Sequence, residues 1–130
     1  MITCKTKFGT LYARKWGSGY QLLDSEAVEI QYYDNDMPVR WLQDNCFKGC
    51  KDEQDFFDTL YELLGGHEDL GIYYGKNINK LVDEMYDEIN DYNERNGYDK
   101  TTKNEIKEVI LNNHNTIGKY YVLVDYWQYF

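Results

Sequence analysis

The segment from Asn77 to Asn96 constrains the fold more than any other part of this sequence. Its apolar residues recur at intervals of three and four positions, a spacing that predicts an amphipathic helix with one buried stripe. These residues are Ile78, Leu81, Val82, Met85, Ile89 and Tyr92. Gly97 follows as the residue that closes the helix, because glycine readily takes the left-handed conformation found at that position.

Two more helices are predicted on either side of this segment. Asp52 can cap the free N–H groups of a first helical turn, and an apolar stripe follows it until Gly65-Gly66 ends the helix. The stripe consists of Phe56, Phe57, Leu60, Leu63 and Leu64. Thr102 and Glu105 have the spacing of a capping box, which predicts a shorter third helix. Its buried side carries Ile106, Val109 and Ile110.

The remaining segments favour strands and turns. The first third of the chain alternates short β-favouring runs with turn residues, which predicts an antiparallel β-meander. Its strands are Thr3–Phe8, Thr10–Trp16, Tyr20–Leu23 and Ala27–Tyr33. His67 to Lys76 is predicted as a loop or short strand, and Asn115 to Gly118 as a turn. Lys119 to Tyr129 is rich in β-favouring residues and is predicted to pair inside a sheet, since such a bare edge would invite aggregation.

This order of elements predicts an α+β fold: an N-terminal antiparallel β-meander, two to three helices, and a C-terminal strand that returns to the sheet. The 130 residues suffice to bury one core, so residues 1–130 are predicted to form a single domain. The three cysteines are an odd number, and the chain has no apolar leader or membrane-spanning run. We therefore predict a cytoplasmic protein with reduced thiols.

The sequence contains no motif that indicates catalysis or metal binding. Cys46 and Cys50 form a CxxxC pattern, whereas a zinc site needs four ligands, generally in paired spacings. The other candidate ligands are scattered: Cys4, His67 and His114. Asp34-Asn35-Asp36 begins like a calcium loop but lacks the later glycine and glutamate that such a loop requires. We predict no catalytic residue, no metal site and no cofactor, and a protein that is not an enzyme.

The charge of the chain is strongly negative and unevenly placed. The net charge is −9 and the pI about 4.6, so the average surface repels nucleic acid and anionic membranes and attracts basic surfaces. Residues 1–51 have a charge balance of +1, whereas residues 52–130 have a balance of −10. Nine acidic residues on two of the predicted helices are the candidate partner-binding residues: Asp55, Asp58, Glu62, Asp83, Glu84, Asp87, Glu88, Asp91 and Glu94.

The acidic residues between Asn77 and Asn96 face away from the apolar stripe. Several lie four positions apart, and each such like-charge pair costs a helix roughly 0.2–0.5 kcal/mol. A helix shaped for stability alone would alternate positive and negative side chains. The absence of this alternation favours the interpretation that the acidic side of the helix binds a partner. The alternative interpretation is a solvated face that only keeps the protein soluble. A bound divalent metal ranks last, because carboxylates along one exposed helix face do not converge on a point.

A row of carboxylates on a helix repeats about every 5–6 Å and presents regularly spaced negative charge, as a nucleic-acid backbone does. In size, acidity and this helix face, the chain resembles the small acidic anti-defence proteins of phages and mobile elements, the anti-restriction and anti-CRISPR inhibitors. The resemblance implies a stoichiometric inhibitor that occupies the basic groove of a nucleic-acid-binding effector. Two alternatives stay open: a regulatory or accessory interaction domain without a nuclease partner, and a small enzyme with a dispersed site.

The isolated chain is expected not to bind duplex DNA. A net charge of −9 without a basic cluster offers the phosphates no cations and adds long-range repulsion. A gel-shift assay with a short duplex at physiological salt checks this expectation. A retarded band would contradict both the charge argument and the hypothesis that the chain occupies a groove built for nucleic acid.

Overall fold

A computed structural model describes residues 2–16, 19–23, 27–28, 42–64, 70–125 and 130 of the chain. The chain divides into two compact units, Met1–Glu68 and Asp69–Phe130. Helices and antiparallel sheets occur together, which confirms the α+β class. That residues 1–130 form a single domain stays a prediction.

The first unit contains the predicted β-meander. Strands β1 (Ile2–Thr6), β2 (Gly9–Trp16), β3 (Gly19–Leu22) and β4 (Ala27–Val28) pair antiparallel in sequence order. The hydroxyl of Thr6 closes the first turn, because it donates to the carbonyl of Gly9 (2.7 Å) and accepts from the N–H of Phe8 (3.2 Å). Residues 29–33 of the predicted fourth strand, and residues 34–36, whose sequence begins like a calcium loop, lie outside the described residues.

A helix and a π-helical turn complete the described part of the first unit. Helix α1 spans Glu53–Leu63 and begins where predicted, since the Asp52 carboxylate accepts the N–H of Asp55 at 2.9 Å. The π-helical turn, Leu42–Phe47, was not predicted. Phe56 is fully buried between rings with centroids 5.0–5.1 Å away: those of Phe8, Phe47 and Phe57. The predicted stop at residues 65–66 lies outside the described residues.

The second unit contains a sheet of its own. Strands β5 (Gly71–Gly75), β6 (Asn115–Ile117) and β7 (Tyr120–Asp125) are antiparallel in the order β5-β7-β6. The C-terminal strand therefore pairs on both sides, as predicted, but with this second sheet rather than with the N-terminal meander. The two strands that pair with β7 were not predicted as its partners. Strand β6 forms from residues predicted as a turn, and strand β5 forms from residues predicted as a loop or short strand. Residues 126–129 lie outside the described residues.

Two helices cover one face of this second sheet. Helix α2 spans Ile78–Arg95, capped by Asn77, and helix α3 spans Lys103–Asn113, with the predicted capping box of Thr102 and Glu105. The predicted apolar stripes meet in one buried cluster with a residue of β7: Leu81, Val82, Met85, Ile89, Ile106, Ile110 and Leu123. Among the described residues, no helix has the length and apolarity needed to cross a membrane.

The buried amide of Asn90 ties the connection between α2 and α3 back onto helix α2. Its Nδ2 donates to the carbonyl oxygens of Tyr86 (3.0 Å) and Thr101 (2.9 Å), and its Oδ1 accepts the N–H of Thr101 (2.8 Å). Asn93 adds a bond from its Nδ2 to the Thr101 hydroxyl at 3.2 Å. The backbone is therefore fixed just before the cap of α3, so the connection between the two helices has one defined course.

Replacing this amide is expected to destabilise the protein. Asn90→Ala leaves the N–H and carbonyl of Thr101 without their partner, which costs about 1–3 kcal/mol when the groups are buried. Urea unfolding measures the loss. The control is Asn112→Ala, an exposed residue of α3, which is expected to change stability by less than about 0.5 kcal/mol. Equal effects of the two substitutions would contradict the role given to Asn90.

Candidate functional site

The six acidic residues of helix α2 are all exposed on the side opposite the buried stripe. They are Asp83, Glu84, Asp87, Glu88, Asp91 and Glu94. The two bases of the helix lie at its ends, Lys80 in the first turn and Arg95 in the last. The sequence prediction that these carboxylates share one solvent-facing side is therefore confirmed in geometry, while their role in binding stays a prediction.

Asp83 differs from the other five because a lysine neutralises it. The Lys103 ammonium lies 3.0 Å from Asp83 Oδ1, and this is the only salt bridge among the described residues. The same ammonium lies 5.2 Å from the centre of the Tyr86 ring. The hydrogen bond that Lys103 donates to Asp83 and the charge of that carboxylate raise the pKa of Lys103, and Asp87 adds to the rise. The ammonium is thus held between a carboxylate and an aromatic ring.

The other five carboxylates, which we call the acidic face, have no countercharge in contact with them within the described ranges. The acidic face consists of Glu84, Asp87, Glu88, Asp91 and Glu94. Arg95 follows the last carboxylate of the acidic face directly in sequence. Its Nε donates to the carbonyl oxygen of Asp91 at 3.3 Å, and it forms no salt bridge with the described residues. The acidic face therefore carries uncompensated negative charge.

The placement of these charges does not stabilise the helix. The first turn of α2 holds Lys80 and no acid, whereas Glu94 lies in the last turn. The helix dipole favours the reverse arrangement, with negative charge at the N-terminus and positive charge at the C-terminus. Only Arg95 follows that preference. Neither local pairing nor the dipole accounts for the acidic face.

The three candidate carboxylates of helix α1 behave differently. Asp55 accepts the N–H of Lys51 at 3.1 Å at the start of the helix, and Asp58 accepts a hydrogen bond from Gln54 Nε2 at 2.8 Å. Asp55 lies in the first turn, where the helix dipole favours an acid, and the bond of Asp58 joins two residues four apart on the same helix, so both contacts support the helix itself. Glu62 is exposed further along. All three belong to the first unit, whereas the acidic face belongs to the second.

Burial raises the pKa of two of the three cysteine thiols, those of Cys4 and Cys46. Burial raises the pKa of the Cys4 thiol to about 11, with Cys46 and Asp44 adding to the rise. Burial likewise raises the pKa of Cys46, and Cys50 adds to it. A thiol with a raised pKa stays protonated and is a poor nucleophile at neutral pH. Within the same residues, no three His, Cys, Asp or Glu side chains are grouped to hold a metal ion.

One of the two histidines lies among the described residues. His114 lies at the end of α3, with its Nδ1 2.9 Å from the carbonyl oxygen of Ile110. The centre of its ring is 5.1 Å from that of Tyr121, with the two ring planes tilted by 51°. His114 is thus the residue that caps the C-terminal end of α3. His67 lies outside the described residues.

Sequence reasoning missed one surface feature near the acidic face. Tyr98 is 61% exposed, and its ring packs on that of Tyr92 with centroids 6.2 Å apart. Its N–H donates to the carbonyl oxygen of Asn93 at 2.8 Å, directly after Gly97, which has a φ of 71°. The sequence signal that could have indicated this feature was the predicted helix end at Gly97, because the residue that follows such a turn is held at a defined position.

The raised pKa of Cys4 makes the stability of the protein fall in alkaline solution. The folded thiol keeps its proton up to about pH 11, whereas the unfolded thiol loses it near its ordinary pKa of 9.0. The free energy of unfolding should therefore be unaffected by this group below about pH 8 and fall between pH 9 and 11.

Thermal melts of the wild type and Cys4→Ala across that pH range, with reductant present, provide the measurement. The Cys4→Ala variant should show a shallower fall than the wild type. Parallel pH profiles for the two proteins would contradict the assignment of this titration to Cys4.

Comparison of the chain with protein-family models, with curated proteins and with solved structures finds no match.

Proposed function

We propose that this protein is a stoichiometric inhibitor that places the acidic face of helix α2 in a basic groove of a nucleic-acid-binding effector. The observation that carries the proposal is a helix with five exposed carboxylates that have no salt-bridge partner among the described residues. Buried charges need partners, and exposed charges that lack them are available to a partner protein of opposite charge.

The spacing of the charges supports a groove that otherwise holds a nucleic-acid strand. From Glu84 to Glu94 the helix rises about 15 Å, at 1.5 Å per residue, and carries five carboxylates, or roughly one per 3–4 Å. One strand of duplex DNA carries a negative charge about every 3.4 Å along the axis. The acidic face thus has nearly the linear charge density of a single strand, on a support about as wide as an α-helix.

The helix is also a rigid support for this charge. Its buried side is fixed by the apolar cluster with α3 and β7, and its C-terminal end by the hydrogen bonds of Asn90 and Asn93. A partner does not need to order the surface before binding, which reduces the entropic cost of association. Binding cations would also relieve the repulsion among the five carboxylates, and that relief adds to the binding free energy.

Capture of the partner tests the proposal directly. The immobilised protein is incubated with a lysate of a nuclease-bearing host at low salt, and bound proteins are eluted with a salt gradient. The expected partner is a nucleic-acid-binding protein that elutes as salt rises and that added single-stranded or duplex nucleic acid displaces. A partner that nucleic acid does not displace would favour the alternative of a regulatory interaction domain.

Charge reversal on the acidic face is expected to separate binding from stability. Asp87→Lys with Asp91→Lys should weaken the captured complex by more than tenfold, because close charge pairs across interfaces contribute about 1.5 kcal/mol or more. The same change should leave the melting temperature equal or slightly higher, because each substituted position lies three or four residues from carboxylates that remain: Asp83 and Glu84 beside position 87, Glu88 and Glu94 beside position 91. Binding titrations and thermal melts of the same samples measure the two effects.

The matched control is Asp58→Lys with Glu62→Lys on helix α1, which changes the net charge by the same amount. If the acidic face of α2 is the binding surface, this control should weaken binding much less at physiological salt. Equal losses for both double variants would mean that overall charge, rather than this face, attracts the partner. Unchanged binding in the α2 variant would reject the proposal.

A further inference from the structure

Helices α2 and α3 both end at an exposed asparagine whose side chain bonds back to its own helix. Asn96 donates its Nδ2 to the carbonyl oxygen of Tyr92 at 2.8 Å, and Asn113 donates its Nδ2 to that of Val109 at 2.9 Å. Each bond runs four residues back along the chain. The two side-chain amides therefore make the same local contact, and what differs between them is the residue that follows.

The residue after Asn96 has no side chain, whereas the residue after Asn113 does. Gly97 has a φ of 71°, and a Cβ placed on it would meet no atom of the described residues within 4 Å beyond its chain neighbours. His114 has a φ of −70° and carries an imidazole whose Nδ1 lies 2.9 Å from the carbonyl oxygen of Ile110. The backbone nitrogen that follows Asn96 is thus the more accessible of the two.

The hydrogen bonds of these two backbone nitrogens differ in the same sense. The N–H of Gly97 donates to the carbonyl oxygen of Glu94 at 3.3 Å, which is long for an N–H···O bond. The N–H of His114 donates to the carbonyl oxygen of Ile110 at 2.8 Å, which is short. The nitrogen after Asn96 is therefore also the less firmly held.

We propose that Asn96 is a site of spontaneous deamidation, and that opening of the last turn of α2 sets the rate. The backbone nitrogen of Gly97 bonds to Cγ of Asn96, and the Cγ–Nδ2 bond breaks. The proton of the Gly97 N–H passes through solvent to the leaving group, which departs as ammonia. Water then opens the cyclic imide at either carbonyl, so the products are aspartate and isoaspartate.

The closed turn restrains this reaction. The Asn96 amide is held by the carbonyl of Tyr92, and the Gly97 N–H points to the carbonyl of Glu94 rather than to Cγ of Asn96. Helix ends open more readily than helix interiors, and glycine in an open turn reaches backbone conformations that other residues rarely adopt. The reaction therefore proceeds from the fraction of molecules in which this turn is open.

The product changes the end of helix α2. A carboxylate at position 96 cannot donate to the carbonyl of Tyr92 and repels it instead, and it adds negative charge at the C-terminal end of the helix dipole. The net charge of the chain becomes one unit more negative than −9. This inference does not depend on the proposed function, since it concerns a covalent change in the free protein.

The two asparagines are compared within the same molecules. The full chain is incubated in mildly alkaline buffer with reductant, and peptide mapping by mass spectrometry follows the deamidated fraction at positions 96 and 113. Asn96 is expected to react at least several-fold faster than Asn113. Native isoelectric focusing should show a more acidic species that appears at the rate measured for Asn96. In urea, where the turn is lost, Asn96 should react faster than in the folded protein.

Two variants exchange the features that distinguish the two positions. Asn96→Gln keeps an amide but has a longer side chain that closes a cyclic imide much more slowly, so the more acidic species should not appear at that rate. His114→Gly gives Asn113 the same following residue as Asn96 and should make position 113 a second reactive site. Thermal melts show that each variant is folded.

Equal rates at positions 96 and 113 of the folded wild type would overturn the assignment of the site. A reaction at Asn96 that is no faster in urea than in the folded protein would overturn the control by the helix turn. Neither measurement requires a partner protein, so the outcome is distinct from that of the charge-reversal experiment on the acidic face.

Discussion

The burial of the apolar stripe of helix α2 decides which side of that helix meets solvent, and the rest of the second unit depends on this packing. Leu81, Met85 and Ile89 pack with residues of α3 and β7 and are at most 6% exposed. Burying side chains of this size stabilises a fold by about 1.5–3 kcal/mol each. A rotation of the helix by one residue would expose part of this stripe and bury carboxylates, which is strongly unfavourable without partners. The position of the acidic face follows from this packing.

The elements that sequence predicted well are those whose signals are local. Helix α2 begins at a capping asparagine and ends before Gly97, and helix α3 begins with a complete capping box. The pairing of β7 with β5 could not be predicted in the same way, because the two strands are far apart in sequence. Gly71 of β5 pairs with Asp125 of β7, more than fifty positions later. A β-favouring sequence pattern indicates that a segment forms a strand, but it does not indicate which sheet that strand joins. Strand β6, Asn115–Ile117, has only three residues, which are too few for an alternating pattern to be recognised.

For the candidate site too, the sequence predicted the features that depend on local spacing and not those that depend on other contacts. Helical spacing alone placed all six carboxylates of α2 on one exposed side, since the period of the helix fixes it. It could not show that Asp83 is paired with Lys103, because that lysine comes from a different helix. Nor could it show that Asp55 and Asp58 are engaged in local hydrogen bonds at the start of α1. The nine acidic residues looked equivalent in sequence, and their contacts separate them.

The repulsion among the carboxylates of the acidic face costs little free energy compared with the burial of the apolar stripe, so the fold tolerates it. Two carboxylate pairs of the acidic face lie four residues apart, 84/88 and 87/91, and together they cost about 0.4–1.0 kcal/mol. Burial of a single side chain of the stripe offsets that amount. The fold can therefore carry uncompensated charge on this helix at a small loss of stability, whereas the same charges dominate how the surface meets another molecule. Because a cation from a partner removes the repulsion that the free protein retains, the mild strain of the unbound helix becomes part of the driving force for binding.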